Sequence, residues 1–416
     1  MSRPDPERLR VLVREPISAA GLDLLRARFD VVEDGDSELE SIIDGFDAVV
    51  IRSGTTIGER AIERATRLKV IARAGVGIDN VDVDAATRRG IVVANAPEST
   101  VVSAAEHTIA LLLAVATGEF GERWVALATA YGADVHELRY AWGETPRAGD
   151  VRQRVEETSA EVAFLVHSET STGVVADVQA LAQAAHEAGA LVVVDAVSSL
   201  GAVPLETDAW GLDVVVAGSQ KALMTPPGLS LAVVSPAAWE RAGRSTNPRF
   251  YFDWARMKTS LDSGTTPFTP AVSLVASLDA ALELLLEEGL EAAFARHAAL
   301  GRACRAGAKA MGLELFSPDE DRSAVVTAIL TPPDVDAREL VLSLRDRFGI
   351  TVAGGHGDLA ARLFRIGHIG YYDVFDVTTA LAAVEFLLAE KGVGIERGVA
   401  VARALEAYRE TAHVAT

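Results

Sequence analysis

From residue 10 the chain alternates short apolar runs with segments whose apolar positions recur every three or four residues. RVLVRE, DVVED, DAVVIR, KVIAR and GIVVAN, at 10–15, 30–34, 47–52, 69–73 and 90–95, read as buried strands with helices between them. That alternation predicts a parallel sheet covered by helices. Pro97 then breaks the pattern, and Ser99 is placed to cap a helix that the spacing carries from about Thr100 to Ala116, with LLLAVA at 111–116 as its last turns. After Gly118 the alternation resumes, with strands near 133–138, 161–166, 191–195, 213–217 and 229–234 forming a second α/β sheet. Long helices follow from about 273, then strands near 323–330 and 363–367 and a helical tail from about 395, which make a smaller α+β domain. The stretch GETPRAGDVRQR at 143–154 reads as a surface connection.

Composition narrows the partners. Lysine and arginine number 39 against 59 acidic residues, a net charge of −20 with no basic run, which argues against nucleic acid or an anionic membrane. Apolar residues make up 49% of the chain, enough for more than one core, yet no run reaches membrane-spanning length. Cys304 is the only cysteine, so an intrachain disulfide is impossible, and a reducing cytoplasm is expected. The polar start MSRPDPERLR has no signal-peptide core. His167, His356 and His368 lack metal-ligand spacing and are expected in turns or core, with no metal site.

The chemistry is concentrated at 191–221. LVVVD ends in Asp195, and DVVVAGSQKAL delivers Lys221 from a Gly-Ser-Gln turn. An amine and a carboxylate so placed suit pyridoxal phosphate, which needs one amine to react with its aldehyde and one acid to keep its ring nitrogen protonated.

Motifs from Gly118 onward extend this reading. GEFGERW at 118–124, HSETSTGV at 167–174, VDAVSSLG at 194–201, GSQKALMTPPG at 218–228, TTPFTPAVSL at 265–274 and LFRIGHIG at 363–370 occur in order. Together they resemble the class V, fold-type I pyridoxal phosphate aminotransferases, nearest the alanine–glyoxylate and serine–pyruvate group. The resemblance implies that Lys221 bonds the cofactor and shuttles the substrate proton, and that Asp195 pairs with the ring nitrogen. Phe120 and Val197 would flank the ring, and Thr170 would reach its phenolic oxygen. Gln220 would contact the phosphate, joined by Thr266 from the second subunit of a homodimer, while Arg365 would grip the substrate carboxylate. The sulfur-transferring branch is disfavoured, since Gln220 rather than histidine precedes Lys221 and Cys304 lies in a helical run.

The first 116 residues carry different motifs: VLVREPISAAGLDLL, VVIRSGTTI, LKVIARAGVGIDNVDVDAATRRGIVVANAPEST and AAEHTIALLLA. They resemble the start of D-3-phosphoglycerate dehydrogenase, in which residues matching Arg52, Ser53, Arg73, Gly75, Val76 and Gly77 line a substrate cleft. GVGIDN at 75–80 lacks the third glycine of a dinucleotide loop, and no nucleotide-binding domain follows, so it reads as a turn.

The expected organisation is therefore an α/β chain in four parts. A flavodoxin-like parallel-sheet fragment (1–98) and a connecting helix (99–117) precede an incomplete large domain (118–260), then interface helices with a small C-terminal domain (261–416). The family's Ser-Gly-Thr loop, which cradles the phosphate at a helix N-terminus, is missing, predicting weaker phosphate binding and low activity. A helix running directly into Gly118 leaves no room for the intervening strand and could not replace that loop. The expected function is transamination between alanine or serine and glyoxylate or pyruvate. The rivals are a phosphoserine-type transaminase, a catalytically silent oligomerisation or regulatory chain, and, least favoured, the dehydrogenase.

Overall fold

The computed structural model describes residues 8–17, 19–52, 54–73, 80–95, 111–245, 250–318 and 323–412. Two compact units result, one of Met1–Thr100 with Arg256–Pro270, the other of Val101–Ala255 with Ala271–Thr416.

In the first unit, strands β1 (Arg10–Val13), β2 (Asp30–Glu33), β3 (Ala48–Ile51), β4 (Val70–Arg73) and β5 (Val92–Asn95) pair in the order β2-β1-β3-β4-β5. Every pairing is parallel. The order is that of a flavodoxin-like doubly wound sheet. Its strands are apolar on both faces because helices cover both: Leu12, Val49, Ile51 and Ile71 join one core, and Val11, Val13 and Val50 join another with Leu22, Leu25 and Phe29. Ser53, Gly75, Val76 and Gly77 lie outside the described residues. Arg73 is buried and donates through Nε to Asn80 Oδ1 at 3.0 Å.

The second unit is built on β6 (Leu111–Ala116), β7 (Asp134–Arg139), β8 (Val162–Val166), β11 (Leu191–Asp195), β12 (Val214–Gly218) and β13 (Ser230–Val234). They form one sheet, β13-β12-β11-β8-β6-β7, parallel except at the β12–β13 edge. A two-stranded ribbon of β9 (Ser168–Glu169) and β10 (Val174–Val175) follows β8. The C-terminal layer pairs β14 (Val326–Leu330), β16 (Leu363–Gly367) and β15 (Ala353–Gly354) in the order β14-β16-β15, all antiparallel. Helices Leu290–Ala310, Ala337–Phe348, Val374–Glu390 and Val399–Ala412 pack a core around Leu300, Phe364, Leu381 and Leu388.

Two expectations are corrected here. LLLAVA at 111–116 is not the end of a helix but the inner strand β6, with Leu112, Leu113, Ala114 and Val115 buried between β7 and β8. The strand thought to be missing before GEFGERW is therefore present, and the objection that a helix runs straight into Gly118 falls; residues 96–110 lie outside the described residues. Within 143–154, the segment from Ala148 is helical, Ala148–Thr158, because Val151 and Val155, one turn apart, pack under the sheet.

Candidate active site

Chain order and sheet order diverge at β6, which is flanked by β7 on one side and β8 on the other. The connections after β6 and β8 leave in opposite directions, the arrangement that in open α/β sheets puts ligand sites outside the carboxyl ends of the strands. The helix Glu119–Ala130 starts at the end of β6, and the His167–Gly173 segment starts at the end of β8. Asp195 closes β11, and Lys221 follows the end of β12 after Ser219 and Gln220. Phe120, Thr170, Asp195, Val197, Gln220 and Lys221 all stem from this one edge.

Asp195 is buried and doubly held: Oδ1 accepts the Val197 N–H and Oδ2 accepts the Trp124 indole N–H, each at 2.9 Å. Burial pushes its carboxyl above the usual aspartate range, opposed by those two donors and then by the Arg123 and Lys221 charges. The Lys221 ammonium is pushed down by burial and then by Arg365, while Asp195 pulls it up. Acid and amine thus share an electrostatic environment. Among the described residues the Lys221 amine has neither a hydrogen bond nor an ion pair.

The Lys221 turn is pinned by its neighbours. Ser219 Oγ donates to Pro226 O at 2.8 Å, and Thr225 N–H donates to Ser219 O at 3.0 Å. Gln220 points its amide back over Gly218 from an exposed position. Val197 is half-buried.

Arg365, in the middle strand β16, belongs to the same unit and reaches the same edge at Thr170. Its Nη1 donates to Thr170 O at 2.8 Å, its Nε to Gly354 O at 2.9 Å, and its Nη2 to His356 Nε2 at 3.0 Å. Five N–H donors minus three used leave two for a ligand carboxylate. His356 is therefore part of the site rather than an ordinary turn residue. Burial and the Arg365 charge hold its pKa low, as an accepting Nε2 requires, and its ring meets Phe120 edge-on at 6.3 Å. The Arg123 guanidinium lies over the Phe120 ring at 5.0 Å.

His167 and His368 are core residues, bonded to Ser199 and Thr327 at 2.9 Å each. Thr266 belongs to the first unit, exposed, with its hydroxyl on Phe268 O at 2.7 Å. Sequence reasoning missed Trp124 and His356 as site residues. For Trp124 the signal was available: Phe120 and Trp124 are four apart in GEFGERW and so share a helix face.

A sheet edge with a buried acid, an amine that has no partner among the described residues and a forked cation can orient a carboxylate-bearing substrate and move a proton beside it. The family model described as Aminotransferase class-V matches residues 96–365. The soluble hydrogenase small subunit of Synechococcus sp. (strain PCC 6716) is 42% identical over 66% of this chain and 72% of that protein. The serine–glyoxylate aminotransferase of Methylorubrum extorquens is 36% identical over 74% of this chain and 80% of that protein. Among solved structures, ureidoglycine–glyoxylate aminotransferase from Bacillus subtilis superposes with a TM-score of 0.72 at 31% identity, over 75% of this chain and 83% of that one.

Proposed function

The chain belongs to the class V aminotransferases, and on that footing we propose that it moves an amino group between alanine or serine and glyoxylate or pyruvate, using pyridoxal phosphate. The observation that carries the reading is the half-buried Lys221 amine, without a partner among the described residues and within electrostatic reach of Asp195 at the ends of adjoining strands. The residues fit the group: the amine is lowered in basicity as a nucleophile needs, and the Thr170 hydroxyl has no partner among the described residues. Pyridoxal phosphate, when bound, supplies an electron sink for the bond-breaking at the substrate Cα.

Asp195 would face the ring nitrogen, with Trp124 and Val197 N–H fixing its orientation. Phe120 and Val197 would bracket the ring, Thr170 would meet its phenolic oxygen, and Gln220 its phosphate, with Thr266 of a second subunit. Arg365 binds the substrate carboxylate through its remaining donors, and the Lys221 amine takes and returns the Cα proton. A homodimer is supported by exposed apolar side chains at Leu284, Leu286, Leu290, Tyr371 and Phe375. The reading includes a cytoplasmic location; among the described residues no helix is long and apolar enough to cross a membrane.

Residues 1–98 we read as a dehydrogenase substrate-domain fragment joined to an aminotransferase that lacks its Ser-Gly-Thr loop. Support comes from the motifs and from the flavodoxin-like strand order. The test is transamination by the full chain and by a Lys221→Ala variant: equal rates sink the mechanism. An absorbance titration with pyridoxal phosphate that yields no new band sinks the cofactor. Turnover of phosphohydroxypyruvate in preference to glyoxylate favours the phosphoserine-type rival, and measurable nicotinamide binding favours the dehydrogenase.

A further inference from the structure

One buried acid with no role so far touches the supports of three site residues. Glu169 is 1% exposed. Its Oε2 accepts the backbone N–H groups of Phe120 and Gly121, both at 3.1 Å, and its Oε1 accepts the N–H of Ser171 at 3.1 Å together with the Ser171 hydroxyl. The fit depends on Gly118, where a Cβ would stand 2.6 Å from Glu169 Cγ. Phe120 and Gly121 lie in the first turn of the helix Glu119–Ala130, whose leading N–H groups have no intrahelical partner. A carboxylate there satisfies them and sits at the positive end of the helix dipole. The start of this helix is thereby closed to a cofactor phosphate.

The same helix carries the Phe120 ring and, one turn on, the Trp124 indole bonded to Asp195. The residue after Glu169 gives its carbonyl to Arg365. We propose that Glu169 is a positioning residue for cofactor binding: its carboxylate clamps the helix start at Phe120 and Gly121 and so sets both the stacking ring and the Trp124–Asp195 hydrogen bond. Burial and the Asp195 charge push the Glu169 carboxyl upward, against the Ser171 and Gly121 donors. The cofactor half of the proposal rests on the pyridoxal phosphate reading; the clamp itself does not.

The test uses the full chain with Glu169→Gln and Glu169→Ala. Three quantities are read: hydrogen exchange of the 118–124 amides, the Trp124 indole N–H resonance assigned by Trp124→Phe, and the dissociation constant for added pyridoxal phosphate. In Glu169→Ala the Phe120 and Gly121 amides exchange about tenfold faster, the indole resonance moves, and the dissociation constant rises about tenfold. Glu169→Gln, which keeps one acceptor oxygen and the same shape, falls between and decides the matter alone should the alanine variant not fold. Unchanged exchange and an unmoved indole signal overturn the clamp. Loosened amides with a wild-type dissociation constant overturn its role in binding. A wild-type chain that binds no pyridoxal phosphate refutes the cofactor reading, and the exchange and indole measurements on the apo protein still decide whether Glu169 holds the helix.

Discussion

Replacing Trp124 by Phe removes the indole N–H that Asp195 Oδ2 accepts at 2.9 Å and leaves the carboxylate with the Val197 N–H alone. Both side chains are buried, so no water replaces the donor at low cost. A hydrogen bond to a charged group contributes about 1.5–3 kcal/mol. The smaller ring also opens a void beside Phe164, whose centroid lies 4.7 Å from that of Trp124, costing roughly 1 kcal/mol. The first cost applies only while Asp195 is ionised; a protonated carboxyl does not need the donor. Because the donor favours the charged form, its loss raises further an Asp195 pKa that burial already raises. The variant's deficit relative to wild type is then about 3 kcal/mol above the window in which Asp195 titrates and falls toward about 1 kcal/mol below it. Urea unfolding of the two apo proteins, paired at about pH 8 and at a pH below the window in which Asp195 titrates, reads this directly, since titrations common to both cancel in the difference. A deficit equal at the two pH values refutes the argument, for it assigns the whole effect to packing.

Arg365→Lys loses the planar fork that bonds Gly354 O, Thr170 O and His356, so the KM for the amino acid rises about a hundredfold with a smaller change in kcat; an unchanged KM removes Arg365 from substrate binding. Burial lowers the His167 pKa from 6.5 to about 4, so the folded state resists a proton that the unfolded chain accepts. Stability from this residue is complete above the unfolded value and declines by roughly 3 kcal/mol as pH falls from 6.5 toward 4, and a His167→Gln variant with the wild-type pH slope contradicts the assignment. Gly121→Ala places a Cβ 2.7 Å from Ala116 Cα and 3.0 Å from Val115 O, backbone atoms of β6 that have no room to yield. The cost is about 2 kcal/mol, seen as a lower Tm in thermal unfolding, and an unshifted Tm shows that the helix packs less closely than described.

The strands that carry Asp195 and Lys221 were legible because runs such as LVVVD and DVVVA, rich in β-branched residues, are too short for buried helices and sit between turn signals. LLLAVA was misread for the converse reason: six apolar residues without β-branching dominance, directly after VVSAAEHTIA, extend a helical pattern as well as they make an inner strand. Burial between two neighbours, which periodicity does not encode, decided the outcome. The links among site residues were illegible for another reason. Glu169 meets Phe120 across 49 positions and Trp124 meets Asp195 across 71, separations that only the assembled sheet brings to hydrogen-bonding range.

The inner position of β6 sets what the segment before it must supply. Six residues supply the whole join between the β7 side and the β8 side of the sheet, and they do it with main-chain pairing and aliphatic bulk that any extended apolar hexapeptide provides. Whatever precedes Leu111 meets the ladder only through that hexapeptide, whose register sets where the helix Glu119–Ala130 begins relative to β7 and β8.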